Sequence, residues 1–445
     1  MNITIVGAGR VGLHLAKYFS NEQQDVYLVD TDSEKLAILE SDFNMRTFAG
    51  VPTDFQILRE ANVENADIFV ALTADTSENL VACAMAKSMG AKRTIARVNR
   101  YDYTDPANAG VVRRLGVDRI VYPDLLAAKA IVNSLTHPWC RSWYDFDNGS
   151  ILLIALSVSE DTPIAGHQIK DFGPDRELFH ISALRRSGKT IMPRGTDHIL
   201  PGDILYITSV PNGEDRVMEL AGKNHFDVRN VLVMGGSKVA ELTARIAPDK
   251  FRFTIIEKEI ERCRQLTETC PDANIILGDG SEEEVVEESG IADSGAFVAL
   301  SDGSECNIIS CVMASDAGVK RTIAEIEKEQ FISKAETFQI GTVINKPILT
   351  ANAIFQLILD GDADTSKCFA MTHAEVARLK IGEGSFLTSA PVRDLKIPDE
   401  LTFAGLIRNG KGEIVNGLTH FRTDDEVIVF CLNGSLDKVE KLFRK

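Results

Sequence analysis

Gly7-Ala8-Gly9-Arg10-Val11-Gly12 follows a short apolar run, Ile3 to Val6, and a second apolar run, Val26 to Val29, leads on to Asp30. A glycine loop of this spacing between a strand and a helix is the dinucleotide-binding fingerprint of a doubly wound α/β fold. It acts through the backbone, which is why it demands glycine. Gly7 permits the tight turn out of the strand, Gly9 lets the main chain approach a pyrophosphate, and Gly12 lets the next helix pack close to the sheet. Val11, Leu15, Tyr18 and Phe19 recur on one face of that helix, the spacing of an amphipathic segment. Its N-terminus, with Ala8 and Arg10 beside it, offers N–H groups and a positive dipole end to phosphates. Asp30, eighteen residues after Gly12, stands where a carboxylate accepts both hydroxyls of a ribose. Thr31 and Asp32 follow it and no arginine does, so a 2′-phosphate would meet negative charge. NAD(H) or an adenine nucleotide fits better than NADP. A glycine turn kept only for packing is the bland alternative, but it does not require the acid at this distance.

The same signature returns half a chain later. Val231 to Glu257 carries Gly235-Gly236-Ser237-Lys238-Val239-Ala240 and then Glu257 after Phe253 to Ile256. Asn307 less Asn79, Gly318 less Gly90 and Arg321 less Arg93 each give 228, and Phe69-Val70-Ala71-Leu72-Thr73 matches Phe297-Val298-Ala299-Leu300-Ser301. Strand signals near 2–6, 26–29, 46–49, 67–72, 94–98 and 119–121 alternate with helical patterns, the rhythm of a parallel sheet wound on both faces. From Phe146 short alternating strands and turn signals such as Ser187-Gly188 and Pro201-Gly202-Asp203 take over. Leu184 to Lys189 matches Leu406 to Lys411, and Asp203 matches Asp425. The expected order is a Rossmann-like lobe over 1–140, a small strand-rich α+β lobe over 141–225, a second Rossmann-like lobe over 228–362 and a second small lobe over 366–445.

Bulk properties narrow the class. The chain has 445 residues, 44% hydrophobic and 25% charged, which is ordinary for globular protein and enough for two to four domains. The net charge of −17 argues against nucleic acid and against anionic lipid headgroups as direct partners. The longest apolar stretch, Ile151 to Val158, is far too short to cross a bilayer. A cytosolic location is expected, with any membrane role exerted through another protein. Eight cysteines show no zinc quartet and read as buried reduced thiols; Cys306 and Cys311 are the one pair to watch for redox chemistry.

The A, B, A′, B′ order, the GAGRVG loop, Asp30, Gly50-(x)3-Asp54, Thr73-(x)5-Asn79 and Ala96-Arg97-Val98 together resemble the TrkA family, the regulatory subunits of Trk-type potassium uptake systems. The resemblance covers essentially the whole chain. It implies tandem RCK modules, each a Rossmann-type N-lobe followed by a C-lobe. It further implies a homo-oligomeric ring, four copies of the chain, docked at the inner face of the membrane beneath a separate potassium-conducting subunit. NAD(H), ATP or ADP bound at the N-lobes would change the ring's shape, and no enzymatic turnover is expected.

Within that frame Arg10 is placed to pair with a terminal phosphate, its alternative being a solvated helix-start arginine. Arg97 ends the fifth strand, on the edge where open α/β sheets bind ligands, and a structural ion pair competes with that role. Thr73 and Asn79 stand near the ribose or adenine rim, with helix capping by Asp75, Thr76 or Ser77 the competing account of that polar cluster. Gly50 precedes Asp54, which is expected to begin a helix. Asp124, after Pro123, is a lone carboxylate and a poor metal site by itself; no metal is expected. In the second half Ser237 replaces Gly9, Ala240 replaces Gly12, Glu325 stands for Arg97 and Ile348 for Asp124. Glu257 keeps the ribose option, so this site is expected to bind weakly. Arg186 and Arg408, before hairpin turns, read as scaffold or dimer surface. Two rivals remain, a regulator of potassium efflux and an NAD-dependent oxidoreductase. The latter needs a general acid or base, whereas His167, His180 and His198 in one small lobe and His373 and His420 in the other fall at positions that do not correspond.

Overall fold

The computed structural model describes residues 1–445 apart from 22–23, 44, 147–148, 225, 360–364, 372–373, 433–435 and 444–445. Six parallel strands form the first sheet: β1 (Asn2–Val6), β2 (Asp25–Asp30), β3 (Arg46–Ala49), β4 (Ile68–Ala71), β5 (Arg93–Arg97) and β6 (Arg119–Val121), in the order β3-β2-β1-β4-β5-β6. Helices α1 (Arg10–Asn21), α2 (Ser33–Asp42), α3 (Phe55–Glu60), α4 (Thr76–Met89), α5 (Ala109–Arg114) and α6 (Pro123–Thr136) connect or follow them. Ile3, Ile5, Ile68 and Val70 are fully buried, because crossover helices cover a parallel sheet on both faces and its strands read as continuous apolar runs. The strand order reverses between β1 and β4, which pair Val6 with Ala71. A crevice therefore opens beyond their carboxyl ends.

The first small lobe pairs β7 (Ser142–Phe146), β8 (Ile151–Ser157), β9 (Phe179–Arg186), β10 (Lys189–Ile191) and β11 (Ile204–Ser209) as an antiparallel sheet in the order β10-β9-β11-β8-β7, followed by α7 (Glu214–Leu220). The second parallel sheet repeats the first: β12 (Asn230–Met234), β13 (Arg252–Glu257), β14 (Asn274–Leu277), β15 (Ala296–Ala299), β16 (Arg321–Glu325) and β17 (Thr342–Ile344), in the order β14-β13-β12-β15-β16-β17. Its helices are α8 (Lys238–Ile246), α9 (Ile260–Thr269), α10 (Glu283–Glu288), α11 (Ser304–Asp316), α12 (Ile332–Thr337) and α13 (Lys346–Leu359). The second small lobe has β18 (Thr365–Met371), β19 (Ala374–Lys380), β20 (Leu401–Arg408), β21 (Lys411–Ile414) and β22 (Glu426–Leu432), closed by α14 (Leu436–Phe443). Its order, β18-β19-β22-β20-β21, is the first small sheet read from the other edge.

The two small sheets share one core. Phe146, Ile151, Leu153 and Ala183 of the first pack with Ala404, Ile407, Ile428 and Phe430 of the second. A side chain at Gly412 would put its Cβ 2.0 Å from the Ser150 carbonyl oxygen, so this contact needs glycine. Each lobe also carries the same clasp. Arg186 donates through Nε and Nη2 to Asp203 at 2.8 and 2.7 Å and through Nη2 to the His198 carbonyl at 2.7 Å. Arg408 donates to Asp425 at 2.8 and 2.6 Å and to the His420 carbonyl at 2.9 Å. The two arginines are thus scaffold, pinning the turn before the last strand of each sheet. His198 and His420 do correspond, contrary to the expectation from sequence, but it is their backbone that is used. His373 lies outside the described residues.

Compact units do not follow the four expected lobe boundaries. One unit is Met1–Ala128 with Asn345–Gly361; the other is Lys129–Ile344 with Asp362–Lys445. Only the start of α6 stays with the first sheet. Helix α13, which follows the last strand of the second sheet, belongs instead to the first unit. There Phe355 lies edge-on to Tyr18 at 4.6 Å and stacks with Phe19 at 5.6 Å. Arg93 donates to the Ile358 carbonyl at 3.0 Å, satisfying the free carbonyl end of the helix. The expected boundaries near 362 fall at residues outside the described ones.

Candidate functional site

The first loop holds its turn by backbone bonds. Gly7 adopts φ +98°, the left-handed region that favours glycine, and its N–H donates to the Val29 carbonyl at 2.8 Å. A Cβ on Gly12 would lie 1.9 Å from the Gly7 carbonyl oxygen, whereas a Cβ on Gly9 would meet nothing within 4 Å. Gly12 is thus the packing glycine, and the space over Gly9 is open. Ala8 and Val11 are buried beneath the loop, while Gly9 and Arg10 are exposed at the head of α1. Asp30 is tied to the loop: its Oδ2 accepts from Ala8 N at 2.5 Å and its Oδ1 from Asp32 N at 3.0 Å. Each carboxylate oxygen keeps a further acceptor site for a hydroxyl. Asp32 caps α2 by accepting from Lys35 N at 3.0 Å, and Thr31 is exposed between the two acids.

The other strand ends complete the rim. Asn79 is 1% exposed. Its Oδ1 accepts from Thr73 N and Thr73 Oγ1, both at 2.9 Å, and its Nδ2 donates to the carbonyls of Thr73 at 3.1 Å and Arg97 at 2.9 Å. Its amide braces β4 against β5. Thr73 and Arg97 are half-buried at the rim. For the Arg97 guanidinium no ion pair occurs among the described residues, so the structural-pair alternative is not realised there. Asp75 caps α4 through Glu78 N at 2.8 Å, and Asp54 caps α3 through Gln56 N at 2.7 Å. Gly50 donates to the Asp30 carbonyl at 2.9 Å, and a Cβ there would lie 2.5 Å from Ile57. Its glycine answers to helix packing.

The second loop has the same path and a different filling. Gly235 takes φ +97°, and Gly236 N donates to Glu257 Oε2 at 2.7 Å, the counterpart of Ala8 with Asp30. Glutamate is one methylene longer, and a Cβ on Gly236 would meet Glu257 at 2.7 Å and Leu266 at 2.6 Å. Ser237 Oγ accepts from Ala240 N at 3.3 Å, capping the helix where Gly9 has no hydroxyl to offer. Arg262 of α9 lies across the loop, donating to the Gly236 carbonyl at 2.6 Å and to Glu241 at 3.0 Å. Glu241 is 2% exposed and also receives Lys238 at 2.6 Å. Burial works against its charge, but Lys238 and Arg262 outweigh it and hold the carboxyl below its ordinary range. The second loop is occupied by the protein's own ion cluster. Glu241 takes the helix position of Leu13 in the first lobe, and an acid at that otherwise apolar place was the sequence signal for it.

Family comparison bears on both lobes. The TrkA-N domain model matches residues 3–123 and 231–346, and the TrkA-C domain model matches residues 153–222. The chain belongs to the TrkA family. The Trk system potassium uptake protein TrkA of Azorhizobium caulinodans is 26% identical over 457 residues, covering 100% of this chain and 99% of that one. A homolog from Archaeoglobus fulgidus is 26% identical over 447 residues, covering 100% of both. Among solved structures the GsuK RCK domain superposes with a TM-score of 0.61 at 15% identity, over 99% of this chain and 94% of that one. The GsuK channel bound to NAD gives 0.61 at 15% identity, over 99% and 78%. GsuK bound to ADP gives 0.51 at 13% identity, over 81% and 69%.

Other chemistry in this TrkA-family chain is limited. Asp124 at the head of α6 lies 3.4 Å from Lys346 Nζ, and among the described residues no cluster of three His, Cys, Asp or Glu side chains could hold a metal. Cys306 and Cys311 are both free thiols. Five residues along a helix turn side chains well apart, and burial pushes the Cys311 thiol up to about 12, which leaves it unreactive. Among the described residues no helix is long and apolar enough to cross a membrane.

Proposed function

We propose that the chain is the nucleotide-sensing regulatory subunit of a Trk-type potassium uptake system, acting from the cytoplasmic side on a separate potassium-conducting membrane subunit. NAD(H), ATP or ADP binds the first loop, and copies of the chain, four in number, form the ring that transmits the change. One observation carries this reading: the first loop is open above Gly9 with Asp30 fixed beside it, while the second is filled by Arg262 and Glu241. The names of the full-length relatives support the potassium system, and the NAD and ADP complexes of GsuK support the ligand class. A ligand shifts a conformational equilibrium only through differential contacts. Arg10, exposed at the first turn of α1, and Arg97 at the rim are the cations placed to distinguish phosphate number.

Calorimetric titration of the purified chain with NADH, NAD, ATP and ADP tests this directly. At least one is expected to bind with a saturable heat. Asp30→Ala should weaken it on the order of tenfold to a hundredfold, since both the ribose bonds and the loop tie are lost. Glu257→Ala should leave it unchanged. Silence for all four compounds, or equal losses in the two variants, would remove the proposal.

A further inference from the structure

The second unit contains a cavity of about 690 Å³ between the first small lobe and the second parallel-sheet lobe. Arg141, Arg185, Lys223, Lys320 and Arg321 line it, and among the described residues the one acid in its wall, Asp203, is engaged by Arg186. Arg321, at the start of β16, is 4% exposed. Its Nη2 donates to Ser134 Oγ at 2.5 Å and Thr342 Oγ1 at 2.6 Å, both neutral, and its Nε has no hydrogen-bond partner. Among the described residues no carboxylate pairs with it. Burial pushes its guanidinium down to about 10, with Arg141 acting in the same direction. The equivalent Arg93 differs: it is less buried and donates to the carbonyl end of a helix.

A buried cation with no counter-charge is costly. An anion in the cavity removes that cost. The volume is that of small-molecule sites generally. Phe226 adds an aromatic face to the wall, with the Lys320 ammonium 5.7 Å from its ring centre.

We propose that this cavity is a second effector site, distinct from the nucleotide loop, which takes a small phosphorylated metabolite with its phosphate against Arg141, Arg185 and Arg321. The remainder of such a ligand lies toward Phe226 and Lys320. By touching the segment Pro138–Arg141, β9 and α12 together, it ties the first small lobe to the second parallel-sheet lobe.

The test is calorimetric titration of the full chain with inorganic pyrophosphate, compared with Lys223→Glu/Lys320→Glu and with Arg10→Ala. Both lysines are exposed, so the double variant should keep the melting profile of the parent, which circular dichroism checks. Pyrophosphate affinity is expected to fall about tenfold or more in the lysine variant, the effect of losing charge-assisted contacts, and to survive in Arg10→Ala. The parent should also melt at higher temperature with pyrophosphate present. No saturable binding to the parent, equal binding to the lysine variant, or loss confined to Arg10→Ala would each overturn the site. The last outcome would assign the anion to the first loop, so failure here is distinct from failure of the nucleotide proposal.

Discussion

Gly12→Ala is expected to weaken NADH and ATP binding at the first loop severely while the rest of the chain stays folded. The added Cβ falls 1.9 Å from the Gly7 carbonyl oxygen and 3.5 Å from Ile5. The nearer atom is backbone in a turn already held by Val29, so it cannot swing aside as a flexible side chain would. Either α1 lifts from the sheet or the loop moves. Overpacking of this kind costs about 1–3 kcal/mol, which the surrounding sheet can absorb. The phosphate cradle cannot, because its N–H groups must stay aligned within hydrogen-bond limits. Affinity should fall on the order of a hundredfold. The second loop shows the accommodated form of the same change: Ala240 stands at the equivalent place, together with a serine cap and an arginine laid across the turn. Titration calorimetry with NADH and ATP, beside a thermal melt, reads both effects. Parental affinity in a folded Gly12→Ala variant would mean that nucleotide does not use this loop.

Asp203→Ala should cost about 3 kcal/mol of stability in the second unit. Asp203 is 1% exposed and accepts from Arg186 Nε, Arg186 Nη2 and Leu200 N. Removing it strands a bidentate guanidinium and one backbone N–H at the mouth of the β9–β11 connection. Urea denaturation should show the midpoint fall with little change of slope. Asp425→Ala, which strands Arg408 and Arg422 N in the same way, should match it. A loss below about 1 kcal/mol for both would place these pairs with ordinary surface ion pairs.

Strand boundaries in the first sheet were legible to within a residue or two because parallel strands covered on both faces are written as unbroken apolar runs. Helix destinations were not legible. The apolar positions of α13, Ile354, Phe355 and Ile358, state that a face is buried but not against which sheet, and it is Tyr18, Phe19 and Arg93 that receive them. The place of Asn79 beside Thr73 does not reveal that the carbonyl of Arg97 lies within its reach. The offset is 228 between the parallel-sheet lobes and 222 between the small ones, and at 222 His198 matches His420 just as Arg186 matches Arg408 and Asp203 matches Asp425. At the second loop the four substitutions mark the places where its filling departs from the first. The ion cluster that fills the second loop depends on Arg262, on α9 and 22 residues beyond Ala240.

The transfer of α13 sets a schedule for biosynthesis. Residues up to Ala128 leave the ribosome with the aromatic side of α1 uncovered, and its partner is not made until Leu359. At typical elongation rates that interval lasts roughly 10–50 s. The amino-terminal unit is completed only when the carboxy-terminal half supplies its last helix.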